Sequence, residues 1–165
     1  MKSISDISSC VGWDISFARC NQHIHRADSI NQLFAGVHGT DVYVLDAKYY
    51  KYGVTGKTWD LPESTSINKQ ITYGEYIANE DKFKKKHGEN MKVYNAFLMP
   101  FDSLKSKYPN NANMLKVGQA VSNWKDNTEE YHKIQGVLLD VKTLMSINVR
   151  QEMKEIEKLA KLIEN

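Results

Sequence analysis

VYVLDAKYY, residues 42–50, is a run of β-branched and aromatic residues with an acid and a lysine set into it, and reading it as a strand decides the fold. Successive side chains on a strand alternate between faces, so Asp46 and Lys48 project together while Ala47 points the other way, into the core. Outward on the N-terminal side lie the turn-like AGVHGT (35–40) and then SINQLF (29–34), and the whole stretch reads as a β-hairpin. Still earlier, Trp13, Ile15 and Phe17 alternate as in a short strand or an edge packed on the core.

On the C-terminal side, GVTGKTWDLPESTS (53–66) predicts a loop longer than the usual connection. Ile67, Ile71, Gly74 and Ala78 then fall at helical spacing. They predict a helix over 67 to about 86, with Ser66 as N-cap and Gly88 as its stop. VYNAFLMP (93–100) is apolar on both faces, as in a strand buried inside a sheet. Joined to 42–50 through the helix it makes a β-α-β crossover with parallel strands. Further strands are expected at 116–122 and 134–140, and Met153, Ile156, Leu159, Ala160 and Ile163 line one face of a closing amphipathic helix.

The chain has 165 residues, 41% hydrophobic and 25% charged, which suits one domain spanning 1–165. No stretch approaches a membrane span and the N-terminus lacks the apolar run of a secretory signal, so a cytoplasmic protein is expected. Cys10 and Cys20 are too few for a disulfide framework or a four-cysteine zinc site and read as reduced thiols. The net charge of +2 is compatible with nucleic acid but selects no partner. Three Pro, nine Gly and the lack of any internal period exclude a low-complexity array.

An acid, one spacer and a lysine recur as DAK at Asp46, EDK at Glu80, DVK at Asp140 and EMK at Glu152. Glu80 and Glu152 fall on expected helices, where i and i+2 diverge, and drop out. A divalent cation beside a phosphate needs a second carboxylate. A hairpin turn centred between Val37 and His38 supplies Asp28 opposite residues 46–48, where facing Cβ atoms are roughly 4.5–5.5 Å apart. Asp41 lies about 16 Å along the strand from Asp46 and on its other face. Asp140 remains a weaker rival, because Asp126, Glu129 and Glu130 reach its strand through a short polar turn. Oxygen ligands on such a hairpin suit Mg²⁺, with Lys48 orienting the attacking water and offsetting charge on the phosphate. A solvated Asp46–Lys48 pair without catalytic work is the plain alternative.

Ala27-Asp28, the gap to Asp46, VYVLDAKYY, the polar loop with Leu61 and Pro62, and SINKQITYGEYI opening a helix together resemble the PD-(D/E)XK nuclease superfamily, and within it type II restriction endonuclease catalytic domains. The resemblance runs from about Ala27 to Tyr76, with Ala27 where members usually carry Pro. It implies an α/β fold with a mixed central sheet flanked by helices, the restriction-endonuclease-like core. It also implies catalytic Asp28, Asp46, Lys48 and Gln70, and a Mg²⁺ held by Asp28, Asp46 and Ala47. Gln70 and Tyr73, at i and i+3 and facing one way, are similar to the glutamine and tyrosine element of RecB-type members, and Lys69 reaches toward the phosphate from the same turn. Members also carry an acid ahead of the hairpin, for which Asp6 and Asp14 are the choices. Lys82, Lys84, Lys85 and Lys86 form a solvated helix end or a phosphate contact. His23, His25 and Arg26 either line the site or are structural.

The expected function is Mg²⁺-dependent cleavage of double-stranded DNA by the small catalytic subunit or cleavage domain of a type II restriction enzyme. A second subunit, either a recognition chain or a homodimer mate, supplies specificity. The other readings are a repair or recombination nuclease and a DNA-binding subunit that does not cut.

Overall fold

The computed structural model describes residues 11–14, 40–105, 108, 112–147 and 149–165, with side chains for all of these but 11–14 and 149–153. The strands are β1 (Val11–Asp14), β2 (Val42–Ala47), β3 (Val93–Phe101), β4 (Met114–Ser122) and β5 (Ile134–Asp140). The helices are α1 (Tyr52–Thr55), α2 (Ser64–Asn79), α3 (Asp81–His87), α4 (Val141–Met145) and α5 (Val149–Glu164), with single 3-10 turns at Thr58–Asp60 and Glu130–His132.

The sheet has the order β1-β4-β5-β3-β2. β2, β3 and β5 run parallel, β4 is antiparallel to β5, and β1 is antiparallel to β4. The fold is thus α/β with a mixed sheet, as expected. β3 sits between β2 and β5 and buries every residue from Val93 to Met99, which is why its sequence is apolar on both faces.

Helices cover both faces of the sheet. Ile156, Leu159, Ala160 and Ile163, the i, i+3, i+4, i+7 stripe of α5, pack on Tyr43, Leu45, Tyr94, Ala96 and Met114. The Tyr43 and Tyr94 rings stack at 5.3 Å, and the Tyr43 hydroxyl hydrogen-bonds Glu164 at the end of α5. On the opposite face, Ile67 and Ile71 of α2 pack on Phe97, Ala120 and Ile134. Ile77 and Phe83 meet Val42, Val44 and Val93. α2 comes close to the sheet at Gly74, where a Cβ would sit 2.6 Å from Asn95 Nδ2 and 2.7 Å from Tyr131 Cβ.

Several elements differ from the sequence reading. The expected helix over 67–86 is two helices, and Glu80 between them is extended (φ −84°, ψ 120°). The stripe Ile67, Ile71, Gly74, Ile77 would continue in phase onto Asp81 and the lysines. Breaking at Glu80 re-phases the chain so that Phe83 reaches Val42 and Val44. α2 also begins three residues early: Ile67 N–H donates to Glu63 O at 3.1 Å, and Ser66 lies inside the first turn instead of capping it. Gly88 does end α3, at φ 101°. Residues 53–66 are not one open loop, because α1 and a 3-10 turn fold within them. Tyr52 and Leu61 anchor that segment on Met99, Phe101, Leu115, Val117 and Leu138. α1 crosses β3 so closely that a Cβ on Gly53 would fall 2.2 Å from Pro100 O.

The expected hairpin partner of 42–50, residues 28–39, lies outside the described residues, as do Cys10, Ile15, Phe17 and Cys20. Among the described residues β2 pairs with β3 alone. No helix among the described residues is long and apolar enough to cross a membrane.

Candidate functional site

Asp46 and Lys48 stand at the C-terminal end of β2, where the strand leaves the sheet and turns into α1. The N–H of Lys48 still donates to Leu98 O at 2.7 Å, so the strand register is kept as far as this residue. The two side chains therefore fall on one face, and Lys48 Nζ lies 2.7 Å from Asp46 Oδ2. It is also 5.6 Å from the centroid of the Phe97 ring. Both side chains are partly open to solvent, 21% for Lys48 and 30% for Asp46. Among the described residues Asp46 has no hydrogen-bonding partner besides Lys48.

Ala47 is a correction to the expected geometry. It is exposed, not turned into the core, because α5 covers Tyr43 and Leu45 but not this last residue of the strand.

Gln70 reaches the same strand from α2. It is buried, and its Nε2 donates to Val44 O at 2.8 Å and to Asn95 Oδ1 at 3.4 Å. Asn95 in turn donates to Tyr131 O at 2.6 Å. Val44 and Asp46 lie on one face of β2, so Gln70 fixes the backbone two residues before the acid. Tyr73 does not share this environment: it is exposed, with Lys69 Nζ 5.5 Å from its ring centroid. The difference arises because i and i+3 are about 60° apart around the helix, enough to separate a residue facing the sheet from one on the flank.

The rival Asp140 is consumed structurally. It ends β5 and caps α4, and its carboxylate accepts from Lys142 N, Thr143 N, Thr143 Oγ1 and Ser103 Oγ. Lys142 turns away to Asp102 at 2.7 Å. Burial pushes the Asp140 carboxyl up, but these hydrogen bonds outweigh it and hold the group below its ordinary value. A depressed folded-state pKa contributes stability above the unfolded pKa of about 3.9 and loses it as pH falls through the folded value. Asp140→Ala should therefore cost about 1–3 kcal/mol at neutral pH. The melting-temperature gap from the unmodified chain should narrow below about pH 4, with cleavage unaffected. A gap that widens on acidification would contradict the capping account.

The EDK triplet fails for another reason than the one expected, since Glu80 is a cap between helices while Lys82 sits over the Tyr76 and Phe83 rings. Glu152 lies on a helix, as expected. Asp41 accepts from Lys92 N at 3.0 Å. Lys84, Lys85 and Lys86 occupy the last turn of α3, favourable for the helix dipole. Asp6, His23, His25, Arg26 and Asp28 lie outside the described residues; Asp14 is there as the last residue of β1, opposite Gln119.

Among the described residues no three His, Cys, Asp or Glu side chains gather as a metal site. Asp46 offers carboxylate oxygen, the donor type that a hard cation takes, and is partly open to solvent beside the exposed Ala47.

No curated protein and no solved structure matches the chain. A family model described as LlaJI restriction endonuclease matches residues 18–121, which spans Asp28, Asp46, Lys48 and Gln70 and stops short of Asp140. The match covers well over half of the sequence, and the chain belongs to the LlaJI restriction endonuclease family, a family of nucleases acting on DNA.

Proposed function

We propose that the chain is a Mg²⁺-dependent endonuclease of the PD-(D/E)XK type that hydrolyses phosphodiester bonds of double-stranded DNA. In this reading it serves as the catalytic subunit or cleavage domain of a type II restriction enzyme. The observation that carries the proposal is the Asp46–Lys48 pair, presented together at the open end of β2 and braced from below by Gln70. Asp28, Asp46 and the main chain of Ala47 would hold the ion. When bound, Mg²⁺ polarises the phosphate and lowers the pKa of a coordinated water. Lys48 directs its ammonium N–H groups at the water and the phosphate oxygens, offsetting negative charge as it builds up. Gln70 keeps β2 from shifting, so that both side chains meet the phosphate in a fixed geometry.

One such site cuts one strand, and a duplex break needs a second site from a like or unlike chain. The sheet and its covering helices take up most of the described residues, leaving little to read base edges. The isolated chain with Mg²⁺ should thus nick supercoiled plasmid weakly, with steep salt dependence. Adding the neighbouring restriction subunit should convert nicking into discrete double-strand breaks. Complete, discrete fragmentation by the lone chain at physiological salt would instead make it a self-sufficient enzyme.

A further inference from the structure

The segment that follows the Asp46–Lys48 pair is unusual in being firmly anchored while pointing large apolar groups into water. Its backbone is held at several places. α1 closes on Gly56, which is left-handed at φ 63° and donates to Tyr52 O. Thr55 Oγ1 donates to Asp60 Oδ2 at 2.6 Å and accepts from Lys57 N at 3.2 Å. Asp60 N and Leu61 N return to Lys57 O and Thr58 O. Beneath, Tyr52 and Leu61 are buried against Met99 and Phe101. Yet Tyr49, Val54 and Trp59 are 93%, 73% and 75% exposed.

Met99 and Phe101 continue the face of β3 that carries Phe97, the ring beneath Lys48. The anchored segment therefore lies on the same face and at the same end of the sheet as the catalytic pair. Lys51 and Lys57 stand on this segment against one carboxylate, Asp60, which Thr55 holds in place. Lys57 Nζ rests 5.2 Å from the Trp59 ring centroid.

We propose that Trp59 is a DNA-contacting residue that stacks its indole on a base unstacked beside the scissile phosphate, while Lys57 moves from the ring to a flanking phosphate. The proposal rests on the nuclease reading above and adds to it the way in which the substrate is deformed. An exposed aromatic on a rigid support inserts at low entropic cost, and the strain of unstacking is offset by contact between the ring and the base. Trp59 is a positioning residue in this scheme, since it touches the substrate away from the reacting atoms.

The test uses the full chain, alone and with the neighbouring restriction subunit, and a duplex of about 20 base pairs carrying 2-aminopurine at successive positions. Anisotropy and 2-aminopurine fluorescence are measured in EDTA, cleavage in Mg²⁺. With the neighbouring restriction subunit present, the unmodified chain should change 2-aminopurine emission at one or two positions by the cut, through loss of base stacking or through quenching by the indole. Trp59→Ala should lose that signal and weaken binding about fivefold or more, with Trp59→Phe retaining most of both. Its melting temperature should stay within about 2 °C of the parent, because the side chain packs on little. If the parent binds and cuts DNA but Trp59→Ala binds equally well, the inference fails while the nuclease reading stands. If the parent neither binds nor cuts, both fail. A lower melting temperature, or a change in the oligomeric mass of the chain on substitution, would show a structural or protein-contacting tryptophan and would also overturn the proposal.

Discussion

Asp46→Ala should reduce DNA cleavage by at least about a thousandfold while leaving the chain folded. The substitution removes the carboxylate that faces Lys48 at 2.7 Å and that, in the proposed site, binds the cation, so substrate positioning and charge compensation would be lost together. Stability should change by under about 1 kcal/mol, as expected for a partly exposed pair. Lys48→Ala should be comparably damaging, since in the proposed site its ammonium orients the water. Strand cleavage on supercoiled plasmid, read beside thermal melts, checks both effects. Cutting that survives Asp46→Ala but disappears in Asp140→Ala would mean that the wrong acid had been assigned.

The second large effect is on folding. Gly→Ala inside a helix ordinarily stabilises by about 1 kcal/mol. Gly53→Ala should do the opposite, because its Cβ would enter to 2.2 Å from Pro100 O and 2.8 Å from Phe101 Cβ. The first of these is backbone of a central strand and yields little. Overpacking of this kind costs about 3 kcal/mol, or a melting temperature lower by about 6–12 °C for a chain of this size. Calorimetry or circular dichroism melts decide it, and an unchanged or raised melting temperature would mean that α1 does not press on β3 as described.

What could be read from the amino acids alone follows from how local each cause is. The shared face of Asp46 and Lys48 needed only the two-residue period of a strand, and the burial of Val93–Pro100 only its unbroken apolar run. The break at Glu80 had no Gly or Pro to announce it. It is imposed by Phe83, whose burial against Val42 and Val44 is a tertiary demand. Ala47 looked like a core residue because alternation continued through it, whereas its exposure depends on where α5 stops, on the far side of the sequence. The folded segment at 52–61 was hidden for the same reason, since Tyr52 and Leu61 find their partners on β3, β4 and β5. Asp140 read as a strand acid, although Thr143, three residues on, is the hydroxyl that completes a capped turn and was the available signal.

The pairing of β2 with β3 carries a consequence for how the site can be isolated. The Asp46–Lys48 pair is close in sequence, but what holds it among the described residues is not: Val42 pairs with Val93, and the brace on Val44 comes from Gln70. Closing such loops costs conformational entropy that only the assembled sheet repays. A peptide cut from around LDAK would keep the two side chains and lose their alignment. The site is a property of the whole folding unit and cannot be carried elsewhere as a short graft.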